Sequence, residues 1–366
     1  MKKILFLGGL KPGGAEHQMV VVARLLKENG YDVTYLSSDE SDFFEKDLKE
    51  VDIPIIRIGK NKITSLIKLN LLREMLLIRS ILTRGKYDTV ISFLSTYNFF
   101  NCFYAKKKTT YHKAITGIRN NRDDAFISYR KRFYTFFEKY TDVKVSNSDN
   151  AKNVFAGHFP HLASKLTTIY NIVDLPDITT NYLLRKDGKI HIIIPASYRA
   201  VKNPMRLLEA LALMNNEEKK ILQIDWYGNI KAGKGCYEEM SDFIKTKKID
   251  DVITLHDATK EIINKINEAD AVGLFSTSEG LPNSICEGMM LGKPVVMTRV
   301  SDYNVLVDDT NGFLCDFNDS VSIKNALISL ASLSDDKIIE MGMSSKTKAE
   351  KLFSKEYVLN QWKQII

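Results

Sequence analysis

The chain has 366 residues, 44% of them apolar and 27% charged, with a net charge of +7. That is enough for two domains with cores of their own, and too ordinary a composition for a disordered, fibrous or disulfide-stapled protein. No run approaches the ~20 apolar residues of a membrane span, so any membrane association is expected to be peripheral.

The four cysteines form no C-x-x-C pair and read as apolar filler in a reducing cytoplasm. The start, MKKILFLGG, opens like a signal peptide, but its apolar part is too short. Charge is uneven: residues up to Ile178 hold 28 basic and 19 acidic side chains, and the remainder 24 and 26. The first half is therefore expected to meet something anionic, whether phospholipid, a pyrophosphate-linked acceptor or nucleic acid.

In chain order, Lys3 to Leu7 reads as a buried strand ending in Gly8 and Gly9. The pair Gly13 and Gly14 precedes a helix from Ala15 to about Asn29, and Tyr31 to Ser37 is the second strand. This is a βαβ opening without the G-x-G-x-x-G fingerprint. Gly8 and Gly9 fit a tight turn; Gly13 and Gly14 fit either a turn or a close backbone approach to a ligand. A strand near Ile55 to Ile58, a helix from Ile63 to Leu82 and a strand from Thr89 to Leu94 follow. The stripe Leu66, Leu69, Leu72, Leu76 and Ile81 is expected to face the core.

The strand Ala114 to Ile118 delivers Arg119, Asn120 and Arg122 to its carboxyl end, where open α/β sheets bind ligands. Next comes a basic, aromatic helix with Tyr129, Arg130, Lys131, Arg132, Phe133, Phe136 and Phe137. It suits an anionic leaflet, or equally a helix with one packed and one solvated face. After the strands Val143 to Ser146 and Leu166 to Ile169, the polar stretch Asn171 to Leu184 is the linker candidate.

A second alternation starts with the strand at Ile190. Asn203-Pro204 opens a helix, Ile221 to Trp226 is a strand leading to Asn229, and Val252 to Leu255 leads to His256 and Asp257. The run Ala271 to Phe275 then feeds the most informative stretch, STSEGLPNSICEGMMLGKPVVMT, from Ser276 to Thr298. It reads as strand, turn, helix and strand, with Pro282 expected at the first helical position. Glu279 and Glu287 stand at E-x7-E spacing. The helix start offers backbone N–H groups near Asn283 and Ser284, suited to a phosphate, and a carboxylate further on can accept from vicinal hydroxyls.

Glu279, Gly280, Leu281, Pro282, Glu287, Gly292, Pro294, Val295 and Val296 together resemble the donor-binding signature of the retaining, GT-B-fold glycosyltransferases of family 4. Asn311 to Leu314 resembles that family's N-G-F/L-L strand, and GGLKPGGAE its G-G-A-E loop. The resemblance implies an α/β fold of two Rossmann-like domains facing each other across a cleft, residues 1–175 for the acceptor and 185–353 for the nucleotide-sugar. A last helix, about 354–366, is expected to return to the first domain.

What the resemblance implies for the chemistry is specific. Glu279, Lys202 and Arg199 are the expected catalytic residues, with Lys202 on the donor phosphates. The family Arg is replaced by Ser197, and Arg199, two positions on, is the candidate substitute. Glu287 is expected on the ribose, and Gly280, Leu281, Asn283 and Ser284 on sugar and phosphate. Asn229, His256 and Asp257 are expected around the base, and Gly13, Gly14 and Ser197 against the donor. Glu16 and Arg119 are the expected acceptor contacts, and no catalytic histidine is carried over.

D-x-D is absent from the sequence, so no metal or other cofactor is expected, and cations with backbone dipoles must meet the leaving charge. The implied reaction is retaining transfer from a UDP-sugar or related donor to a saccharide or polyprenyl-pyrophosphate-linked acceptor. The setting is cell-surface polysaccharide synthesis at the inner face of the plasma membrane, with no nucleic-acid partner. A GT-B nucleotide-sugar epimerase, a non-catalytic anion-binding module and an oxidoreductase using Asp39 are the rival readings.

Overall fold

The structure, a computed structural model, describes residues 1–58, 67–106, 110, 112–119, 136–176, 178–182, 185 and 187–366. Asn120, Arg122, the basic helix from Tyr129 to Phe133, and the side chains of Leu66 and Leu69 lie outside the described residues. The chain divides into two compact units. The first is Met1–Ile172 with Lys355–Ile366, and the second is Val173–Ser354.

The strands are short apolar runs of the kind that parallel sheets bury on both faces. In the first unit they are β1 Lys3–Gly8, β2 Asp32–Ser37, β3 Ile55–Arg57, β4 Thr89–Ser92, β5 Lys113–Ile118, β6 Val143–Ser146 and β7 Leu166–Thr168. They form one parallel sheet in the order β3-β2-β1-β4-β5-β6-β7. In the second unit β8 Ile190–Pro195, β9 Leu222–Gly228, β10 Ile253–Asp257, β11 Ala271–Leu274, β12 Val295–Thr298 and β13 Gly312–Cys315 pair in the order β10-β9-β8-β11-β12-β13, again all parallel. Each sheet reverses direction of growth beside its first strand, which is the doubly wound arrangement.

Helices seal both faces. Gly14–Glu28 packs Met19, Val22, Ala23 and Leu26 onto β1 and β2, and Pro204–Ala212 lays Leu207, Leu208 and Leu211 over β8 and β9. The helix Ile67–Gly85 corrects the expected stripe. Leu72 and Leu76 are 53% and 58% exposed, while Ile78 and Leu82 are the buried pair. Leucine recurs on two sides of this helix, and periodicity alone does not say which side meets the sheet.

The last helix, Lys355–Ile365, follows the helix Asp335–Phe353 after a single extended residue, Ser354. It buries Val358, Leu359 and Trp362 in the first unit's core, with the Trp362 ring 6.0 Å from Phe93.

Candidate functional site

After β8 the chain makes one 3-10 turn, Ala200–Lys202, closed by Asn203 at φ 58°, a left-handed position that asparagine tolerates better than most residues. Pro204 then starts the next helix. The Val201 carbonyl accepts the Thr277 N–H at 2.9 Å, which ties this turn to the segment leaving β11. That stitch brings together two residues far apart in sequence. Lys202 Nζ donates to Glu279 Oε1 at 2.5 Å, and Ser276 Oγ donates to the same oxygen at 2.6 Å. The Lys202 and Glu279 side chains are only 17% and 14% exposed.

Glu279 leads directly into the helix Asn283–Met290. Pro282 sits one residue earlier than expected, as the cap at φ −78° and ψ 90°. Its extended ψ turns the chain into the helix, which the fixed proline φ permits at either position. Ile285, Cys286 and Met289 bury the inner face. Gly292 at φ 70° lets the chain leave in a left-handed turn towards β12. The Gly280 carbonyl accepts from Ser301 Oγ, which holds the loop before the helix. The helix begins at Asn283, so Asn283 and Ser284 lie in its first turn.

Glu287 is half-buried and, among the described residues, its carboxylate makes no hydrogen bond or ion pair. Desolvation pushes its carboxyl up to about 7. A carboxylate held this way gains from any hydroxyl donor that reaches it.

Around the same strand ends, Arg199 is exposed and its Nε donates to Ser197 Oγ at 2.9 Å. This brings the Arg199 guanidinium back beside Ser197. Asn229 and Asp257 are engaged with backbone. Asn229 Oδ1 accepts from Ala232 N–H at 2.7 Å, and Asp257 Oδ1 from Ile230 and Ala258 N–H at 3.1 and 2.8 Å. His256 bonds Asp225 at 2.8 Å and stacks on Tyr227 with centroids 4.3 Å apart. Leu281 is buried at 7% exposure.

In the first unit Gly13 caps its helix in extended conformation, and a Cβ there would come within 2.4 Å of the Glu16 carboxylate. Gly14 and the neighbouring His17 are exposed, and His17 stacks on Phe44. Asp39 accepts from the Leu10 and Ser41 amides, so it braces this loop. Arg119 lies over the Phe93 ring at 3.5 Å and donates to Asn171 Oδ1 at 3.0 Å.

Ser276, Ser301, Phe93 and Asn171 were not foreseen. Ser276 opens the signature stretch and Ser301 follows it by three residues, but the partners of Arg119 carry no local signal. Among the described residues no group of three His, Cys, Asp or Glu is placed to hold a metal ion, and no helix is long and apolar enough to cross a membrane.

Two family models match, one per unit: "Glycosyltransferase Family 4" over residues 12–176 and "Glycosyl transferases group 1" over residues 189–332. A protein of Haemophilus influenzae described as an uncharacterized glycosyltransferase is 24% identical over 383 residues, all of both chains. Among solved structures, Anabaena Alr3699/HepE in complex with UDP and glucose matches at 17% identity and a TM-score of 0.78, covering 100% of this chain and 99% of that one. The lipopolysaccharide outer core galactosyltransferase WaaB matches at 16% identity and a TM-score of 0.77, covering 99% and 98%. A glycosyltransferase from Rickettsia africae matches at 18% identity and 0.79, covering 100% and 97%. These likenesses show the GT-B fold. With glycosyltransferase models on both units and a donor-type signature in the second, the chain is a GT-B glycosyltransferase and belongs to glycosyltransferase family 4.

Proposed function

We propose that the enzyme transfers a hexosyl or N-acetylhexosaminyl group from a UDP-sugar to a saccharide or lipid-linked acceptor, with retention of anomeric configuration and without a metal. One observation carries this reading. Lys202 and Glu279 meet at 2.5 Å beside the start of the helix that holds Glu287, whose carboxylate has no partner among the described residues. A single spot thus offers a cation for the pyrophosphate, a carboxylate for the sugar and, about one turn into the helix, a carboxylate for ribose hydroxyls.

In the reaction, the bond from the anomeric carbon to the β-phosphate oxygen breaks. Lys202, the first-turn amides and Arg199 take up the charge that develops on that oxygen. The acceptor oxygen bonds the same carbon from the same face, and its proton passes to the departing phosphate. The nucleotide assignment is supported by the UDP in the HepE complex, and a role in polysaccharide synthesis by the likeness to WaaB.

Peripheral contact with an anionic membrane is supported by Leu72, Leu76 and Phe136, all more than half exposed, and by the Lys139 ammonium 4.1 Å from the Phe136 ring. The deciding experiment is hydrolysis and transfer across a panel of nucleotide-sugars. UDP-sugars are expected to be consumed fastest, with release of free UDP. Consumption of none, or isomerisation without any acceptor, would replace this reading with a binding module or an epimerase.

A further inference from the structure

Arg119 has a burial that the fold alone does not account for. Its guanidinium is clamped by Phe93 and Asn171, yet its Nε–H is buried and, among the described residues, bonded to nothing. Among the described residues no carboxylate pairs with it. Burial alone draws it down to about 9, with no opposing charge to hold it up. A desolvated cation in this state is costly unless an anion completes it.

A second orphan lies beside it. β5 and β6 pair through Ile118 and Ser146, so Arg119 and Asn147 leave adjacent strand ends. Asn147 is only 5% exposed, and its Oδ1 has no hydrogen-bond partner among the described residues. Arg119 also lines a pocket of about 90 Å³ with Ser95, Asn98, Gly117 and Lys144. Lys144 is already committed, to Glu138 at 2.9 Å and Thr116 at 3.3 Å, and Glu138 lines the same pocket, so this pair adds neither net charge nor a free donor and Arg119 supplies the positive charge. The volume equals about three waters, which suits one oxyanion and not a whole sugar ring.

We propose that these strand ends form an acceptor subsite for an anionic saccharide. A carboxylate or phosphate oxygen of the acceptor docks on Arg119 Nε–H, and a hydroxyl of the same sugar donates to Asn147 Oδ1. This rests on the reading of the enzyme as a glycosyltransferase whose first unit takes the acceptor. It adds that the acceptor is charged.

The test uses matched sugar pairs, titrated by NMR into the full-length protein: galactose against galacturonate, and N-acetylglucosamine against its 1-phosphate. One anionic member is expected to bind at least tenfold more tightly than its neutral partner, and which pair shows the gap names the group. Arg119→Gln should erase that preference, and Arg119→Lys should keep part of it. Asn147→Leu should weaken the anionic sugar while leaving inorganic phosphate unchanged. UDP affinity should not move in any variant.

Equal binding of neutral and anionic sugars overturns the proposal. So does a preference that survives Arg119→Gln, or a parallel loss of UDP affinity. Should Arg119→Gln fail to fold, Arg119→Lys and Asn147→Leu decide. Failure to turn over any nucleotide-sugar would sink the transferase reading and leave the anion preference standing, so the two failures are distinguishable.

Discussion

Lys202 Nζ rests 2.5 Å from Glu279 Oε1 across 77 residues of sequence. The contact exists because the Val201 carbonyl takes the Thr277 amide proton, which joins the turn after β8 to the segment after β11. Glu279→Gln preserves shape and removes the charge. It is expected to lower turnover while leaving UDP affinity within a factor of about three. Glu287→Ala is expected to weaken UDP itself by about tenfold to a hundredfold, the worth of hydrogen bonds to a charged group. Calorimetry beside steady-state rates separates them, and equal losses of UDP affinity would undo the assigned roles.

Glu287 gives a pH signature. Its folded carboxyl titrates near 7, above its unfolded value, so its contribution to stability is complete at low pH and fades as pH rises through about 7. Glu287→Gln should therefore raise the melting temperature at pH 8 and change little at pH 4.5. UDP binding should respond oppositely, strengthening from pH 6 to 8 as the carboxylate forms. In Glu287→Gln the remaining pH dependence should be that of UDP alone.

His191 contributes a separate dependence in the second unit. Asp225, and after it Asp187, raises the imidazole to about 9 against the opposing effect of burial. Asp187 is the nearer carboxylate, 3.0 Å against 3.7 Å, but it is 53% exposed against 27% and hence more screened. The stabilisation is full below pH ~6.5 and lost as pH rises to about 9. Thermal melts of His191→Gln against the native enzyme should converge at pH 9.5 and diverge at pH 6.

Sequence legibility followed distance along the chain. The strands could be read because each is a short apolar run between turn residues, as in AVGL and VVMT, both buried throughout. Glu279 and Glu287 could be read because one helix and its loop carry both. What joins Lys202 to Glu279, or Arg119 to Asn171 52 residues away, is strand order, and strand order has no local residue code. The exposed Leu72 and Leu76 mark the converse. Leucine spacing reports a helix, but only packing reveals which stripe is inside.

Those two leucines bear on the membrane. Replacing Leu72, Leu76 and Phe136 together with Ser should at least halve sedimentation with phosphatidylglycerol vesicles, since apolar side chains drive interfacial insertion. Turnover of a soluble acceptor should be unaffected. Unchanged sedimentation would leave these side chains as ordinary exposed surface.

Metal dependence is the simplest check on the leaving-group chemistry. On the proposed reading, in which Lys202 and the helix start meet the pyrophosphate, activity should persist in millimolar EDTA. Loss of activity restored by Mg²⁺ or Mn²⁺ would require a different account of the developing charge.

The return of Lys355–Ile366 to the first unit has a consequence for how the protein is made. During synthesis the second unit has all its residues before the first does. Until residues 355–366 emerge, the seat that Trp362 fills beside Phe93 stays open, and Lys2 lacks the Ile366 carbonyl to which it donates at 3.0 Å. A chain halted before Lys355 therefore leaves the first unit with part of its apolar core uncovered. Residues 355–366 complete a core that residues 1–172 begin.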